Sequence, residues 1–95
     1  MAEIALAYAK IGNSKEAIDL IRRVRAMDHS NVNYIYDAAA INAVLGNSGD
    51  ALKALREALV KHYPAEYAAG DIDFSSLQNS PEFASMMKEY AVNKP

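Results

Sequence analysis

The strongest constraint on this chain is a stretch that occurs twice. Ile11-Gly12-Asn13-Ser14-Lys15-Glu16-Ala17-Ile18 returns as Leu45-Gly46-Asn47-Ser48-Gly49-Asp50-Ala51-Leu52, displaced by 34 residues at every position. Each copy lies between two segments whose apolar residues recur at helical spacing, so each is expected to be the turn of a helical hairpin. A hairpin recurring at this period is the mark of a helical repeat array, in which each unit buries its apolar face against its neighbours. The chain is therefore expected to be all-α.

Taken in order, Ile4, Tyr8 and Ile11 fall on one face of a first helix over Ala2–Ile11. Gly12 ends that helix, because a C-terminal cap requires a positive φ that glycine adopts at little cost. Ser14 is the expected N-cap of a second helix, with Glu16 in its first turn, running to about Met27 and burying Ala17, Ile18, Ile21 and Val24. Its outer face carries Lys15, Asp19, Arg22, Arg23 and Arg25, with Asp19 and Arg23 at i, i+4 spacing. A third helix is expected over Asn33–Leu45, packed through Ile35, Ala38, Ala39, Asn42 and Leu45. Gly46 stops it, Ser48 caps a fourth, and the fourth buries Ala51, Leu52, Leu55, Ala58 and Leu59 before Pro64.

The third period is degenerate. Another 34 residues beyond Gly46 and Ala51 stand Ser80 and Ser85, so the small-residue skeleton is lost. Yet Ser80-Pro81-Glu82 reads as a helix start, with an N-cap, a proline at the first helical position and an acid in the first turn. Pro81–Ala91 is thus expected to be a terminal capping helix with Phe83, Met86, Met87 and Tyr90 turned inward. Between, Tyr67–Ala69 is expected as a turn and Asp73 as the cap of a short helix holding Phe74 and Leu77. The chain divides into a first repeat over 1–31, a second over 32–64, a degenerate unit with its capping helix over 65–92, and a tail over 93–95.

Gly12, Ala17, Ile21 and Val24, and again Gly46, Ala51, Leu55 and Ala58, resemble the skeleton of a tetratricopeptide repeat, with Ala5 and Tyr8 at the small and aromatic positions of its first helix. Departures fall at Met1 and Ile35, where tryptophan is usual, at Asn42 in place of an aromatic, and at His29 in place of proline. The resemblance implies a right-handed superhelix of two hairpins, non-catalytic protein–protein interaction, and a shallow concave groove lined by the first helix of each hairpin. The corresponding groove positions are Ala2, Glu3, Leu6, Ala9 and Lys10, then Asn33, Tyr36, Asp37, Ala40 and Ala43. Of these, Glu3, Leu6, Lys10, Asn33, Tyr36, Asp37 and Ala40 are the expected contacts to a partner peptide or helix. Chaperone-binding members of the family hold a terminal carboxylate with Lys, Asn and Arg; the equivalent Ala2, Leu6 and Asp37 imply no such clamp here. Asp73, Phe74, Leu77, Asn79, Ser80, Pro81, Glu82 and Phe83 also resemble the closing segment of repeat arrays in bacterial signalling proteins such as serine/threonine kinases and adenylate cyclases. That implies a second possibility, an assembly or regulatory module of a larger protein. The apolar Ile4, Leu6 and Ile11 of the first helix are then covered by upstream sequence or by a second copy of the chain.

Composition narrows the remaining classes. There is no cysteine and the net charge is −2 with both signs interspersed, so neither a disulfide scaffold nor a nucleic-acid or anionic-membrane partner is expected. No apolar run approaches the ~18 residues of a membrane span, no basic signal-peptide start precedes it, and the cytoplasm is the expected compartment. His29 and His62 come at corresponding hairpin ends without the Cys or Glu partners a metal site needs, and are expected near helix C-terminal dipoles. The glycines have neither Walker nor Rossmann spacing, so no cofactor and no enzymatic activity is expected.

Overall fold

The computed structural model describes residues 2–91. Met1 and the expected tail Asn93–Pro95 lie outside the described residues. The described chain is helical, with no strand: α1 (Ala2–Lys10), α2 (Ser14–Met27), α3 (Val32–Val44), α4 (Ser48–Val60), α5 (Ala65–Gly70), a 3₁₀ segment (Ile72–Leu77) and α6 (Pro81–Ala91).

The repeated stretch makes the same turn twice. Gly12 and Gly46 both adopt φ +83°. In the first turn the Gly12 N–H donates to the Ala9 carbonyl at 3.1 Å and the Asn13 N–H to the Tyr8 carbonyl at 2.9 Å; in the second, Gly46 donates to Ala43 at 3.2 Å and Asn47 to Asn42 at 2.8 Å. This is the Schellman pattern, which satisfies carbonyls otherwise orphaned at a helix end. The carbonyls of Asn13 and Asn47 then accept the first bonds of the next helices, from Ala17 at 3.1 Å and Ala51 at 2.9 Å. One asparagine thus closes one helix and opens the next. Ser14 and Ser48, expected as caps, are instead the first helical residues, and Asn13 and Asn47 hold the cap position without a side-chain bond to the helix. The Asn47 amide turns to Asn42 Oδ1 instead, at 3.2 Å.

A third turn of this kind ends α4 on a residue poorly suited to it. His62 has φ +74°, with its N–H on Leu59 at 3.0 Å and the Tyr63 N–H on Ala58 at 3.0 Å. Histidine carries a Cβ into the left-handed region, which costs roughly 1–2 kcal/mol relative to a right-handed conformation. The expected helix-end position of His62 is thus its position in the structure.

The α3 helix is the centre of the molecule. It packs on α4, α1, α2 and the 3₁₀ segment. Asn31 caps it, its Oδ1 accepting from the Asn33 N–H at 3.0 Å and the Tyr34 N–H at 3.3 Å, so the helix starts at Val32 rather than at Asn33. Ile35, Tyr36, Ala38, Ala39, Ala40, Ile41 and Ala43 are buried on it. Val32, Asn33, Tyr34, Asp37, Asn42 and Val44 remain at least partly open. The expected packing residues Asn42 and Leu45 are half-buried.

The α1 helix packs differently from its expected face. Ala2, Ala5 and Ala9 are buried, while Ile4 and Ile11 are 54% and 76% exposed. At about 100° per residue the two isoleucines lie nearly opposite the alanine stripe. Small side chains let helix axes approach toward ~8 Å, a separation that β-branched residues do not permit, so the alanines take the inside. In α2, Ala17, Ile21 and Val24 are buried as expected and Ile18 is half-buried. Asp19 pairs with Lys15 at 3.0 Å rather than with Arg23.

Residues 65–91 close the far side. Tyr67–Ala69, expected as a turn, lies within α5, and Asp71 rather than Asp73 caps the 3₁₀ segment, its Oδ1 accepting from the Asp73 N–H at 2.9 Å. Phe74 and Leu77 are fully buried, Phe83 and Met86 nearly so, and Met87 and Tyr90 half-buried. The Ser80 hydroxyl accepts from the Phe83 N–H at 3.4 Å, ahead of Pro81 at the first helical position.

Nothing lies within 4 Å of a Cβ added at Gly46, so φ alone constrains that site. Gly46→Ala should therefore lower the unfolding free energy by about 1 kcal/mol and His62→Gly should raise it by up to about 1 kcal/mol. Urea denaturation followed by circular dichroism would read both; an unchanged or lower midpoint for His62→Gly would refute the assigned strain.

Candidate functional site

The expected partner-binding face is built from α1 and α3. Glu3 and Lys10 on α1 and Asn33 on α3 are exposed, and Leu6 and Asp37 are half-buried. Leu6 packs against the core, on a different side of α1 from Ile4 and Ile11, so it does not belong to the apolar edge assigned to those three residues.

Tyr36 and Ala40 are corrections. They are 7% and 3% exposed and offer no groove surface. The Tyr36 ring stacks on Tyr63 at 4.0 Å with an interplanar angle of 14°, and meets the Phe74 ring edge-on at 5.4 Å. Its hydroxyl donates to Asp71 Oδ2 at 2.6 Å, the short length of a charge-assisted bond. Burial, the bond to Asp71 and that carboxylate's charge push the phenol above its ordinary value of 10.0. Ala43, Ala2 and Ala9, also expected along the groove, are buried as well. On α3 the covering element is the 3₁₀ segment, tied there by the Ser76 hydroxyl donating to the Ala43 carbonyl at 2.9 Å; Ala2 and Ala9 are on the side of α1 turned toward its helix neighbours.

Tyr63, Tyr67 and Phe74 were not expected at this face. Tyr67 is 62% exposed and meets Tyr63 edge-on at 6.1 Å. The available signal was chemical: a buried tyrosine hydroxyl needs a partner, and the chain from Tyr63 to Phe83 supplies both rings and acids.

Electrostatically the face is acidic. Burial, and then the negative charge of Glu3, raise the Asp37 carboxyl above its ordinary value. Burial and the charges of Asp37 and Asp71 raise the Tyr63 phenol. Lys10 is the one cation among the expected contacts, and it reaches across to Asp73 Oδ1 at 3.2 Å, where the Asp73 side chain is only 12% exposed. A cleft of about 330 Å³ opens beside that pair, lined by Lys10, Val44, Ile72, Asp73 and Ser75 among others. The arrangement provides hydrogen-bond acceptors, negative charge and half-buried apolar surface. Among the described residues no group of three His, Cys, Asp or Glu side chains is placed to hold a metal ion, and no helix is long and apolar enough to cross a membrane.

Comparison with known protein families, curated proteins and solved structures finds no match to this chain.

A carboxyl whose folded pKa lies above its unfolded one binds more protons in the fold, so its contribution falls as pH rises from 3.8 through the folded value. Asp37→Asn should therefore stabilise the protein at pH 7, by less than about 1 kcal/mol once solvent screening of a half-exposed group is allowed for. That advantage should vanish below pH 3.8. Denaturant titrations of both proteins across this range would check the sign.

Proposed function

We propose that the chain is a non-catalytic protein–protein interaction module of the tetratricopeptide-like kind, binding a peptide or helix of a partner on the α1–α3 face. The observation that supports this best is the recurrence, 34 residues apart, of one asparagine serving two helices behind a positive-φ glycine. Repeat arrays of this build present side chains of successive helices along a continuous surface. Glu3, Asn33 and Asp37 supply polar contacts, Leu6 apolar area, and Lys10 with Asp73 the far limit. Tyr36 and Ala40 form the support beneath that surface. The tetratricopeptide relationship rests on the skeleton Gly12, Ala17, Ile21, Val24 and its second copy; the function is read from that resemblance together with the open face.

Peptide display against the native chain tests the proposal. Selected peptides should lose at least about tenfold in affinity, some 1.4 kcal/mol, for an Asn33→Asp, Asp37→Lys variant whose helical circular dichroism is unchanged. Peptides bound equally by both proteins would place binding elsewhere.

A second reading is favoured by one observation, the exposure of Ile4 and Ile11 on one side of α1. In this reading the chain is an assembly module, of the type found at the ends of signalling kinases and cyclases, and self-associates through that side. Sedimentation should show a concentration-dependent dimer abolished by Ile4→Lys with Ile11→Lys; a monomer at all concentrations would end it.

A further inference from the structure

The 34-residue repeat gives each side chain of the first unit a counterpart in the second. Ile4, Ala7 and Ile11 at α1 stand where Ala38, Ile41 and Leu45 stand at α3. Each set lies at i, i+3, i+7 on one side of its helix, and each holds two branched aliphatic residues and one alanine, in a different order. Their surroundings are opposite. Ala38 is 3% exposed, Ile41 0% and Leu45 half-buried, whereas Ile4 is 54% exposed, Ile11 76%, and Ala7 is open.

The α3 set is covered by the first hairpin. Packing within a hairpin does not supply that cover, since α1 packs on α2 as α3 packs on α4 and still leaves its own set open. The 3₁₀ segment does not supply it either: it reaches α3 at Tyr36 and Ala43, nearly half a turn round the helix. Ala38 instead lies with Ile18 and Ile21 of α2 around one groove, and α1 and α2 both pack on α3. This side of α3 is thus the seat of a preceding hairpin, and α1 carries the equivalent seat open.

The two ends of the stack also differ in chemistry. The outward side of α6 presents Glu82, Ser85, Lys88 and Glu89, the polar surface that a terminal unit needs. The outward side of α1 is apolar at all three seat positions. A second copy of the chain has no free hairpin face to place there: its first hairpin already lies on its own α3, and its second lies against the 3₁₀ segment and α6.

We propose that the Ile4, Ala7 and Ile11 side of α1 is a stacking site for a helical hairpin of another protein, whose facing helix sets an aliphatic side chain over Ala7 and small residues against Ile4 and Ile11. The surface is the one named in the second reading above, with a different occupant, and it is separate from the peptide-binding role proposed for the α1–α3 face.

The test supplies a hairpin of known shape by adding a copy of residues 1–34 ahead of Met1 of the full chain, which keeps the 34-residue period. The added copy carries Arg25→Gln, because Arg23 stands at the position of Glu57, which Arg25 meets at 3.3 Å. Backbone hydrogen exchange is followed by NMR. In the extended chain the added helices should be protected, and the amides of α1 should exchange at least about tenfold more slowly than in the native chain. Ile4→Lys with Ile11→Lys in the original unit should abolish protection of the added helices, yet leave exchange in the native chain unchanged within about twofold. A second extended chain with Ile4→Ala, Ala7→Ile and Ile11→Leu reproduces the α3 seat and controls for folding of the added hairpin. Added helices that stay unprotected on the native seat, whether or not they fold on the reproduced one, would overturn the proposal. So would α1 exchange in the native chain that slows as its concentration rises, which would assign the stripe to a second copy.

Discussion

The fold depends on one residue belonging to two helices at once. Asn13 donates its N–H into the end of α1 and lends its carbonyl to the start of α2; Asn47 does the same between α3 and α4. No free linker separates the helices, so their relative direction is set by backbone geometry rather than by side-chain packing alone. The geometry exists only because Gly12 and Gly46 take a φ that other residues resist. Given the same turn twice, the alanine-rich faces of α1 and α3 meet, and α3, surrounded by neighbours, becomes apolar over most of its circumference.

The third turn explains why the open face is smaller than a simple repeat would leave. After His62 the chain does not form another long helix but the short α5 and a 3₁₀ segment, which brings Tyr63 and Phe74 onto Tyr36. Stacked and edge-on rings of this kind contribute about 0.5–1.5 kcal/mol beyond the area they bury. The Tyr36 hydroxyl reaches Asp71 only because that residue caps the 3₁₀ segment through its other oxygen. Aromatic packing and capping thus converge on the middle of α3. The price is groove: Ala40 and Ala43 end up covered.

Local signals were legible in the sequence, and they fixed most helix ends. Glycine followed by a new apolar period marked both hairpin turns, and Ser80-Pro81-Glu82 marked α6, because these depend on φ and on orphaned backbone groups within a few residues. The α4 core was legible for a similar reason: Leu52, Leu55 and Leu59 have no competing apolar face. In α1 two stripes competed, one of isoleucine and one of alanine, and hydropathy favours the wrong one; the choice is made by how near α3 approaches. Tyr36 was misplaced because its burial involves Tyr63, Asp71 and Phe74, far along the chain, which no local period encodes. Asp71 was missed as a cap in favour of Asp73, two acids equally able to serve, separated only by where the 3₁₀ turn begins.

The bridge from Lys10 to Asp73 joins the first helix to the segment after the second hairpin. In a linear stack each unit touches only the next, so the ends can open without disturbing the middle, and unfolding proceeds in steps. Here the first helix grips the segment after the second hairpin, passing over α3, and the stack becomes a closed circuit. With Lys10 half-exposed the link is weak by itself, but both partners belong to elements that rest on α3, so loosening of either one removes a support from the other.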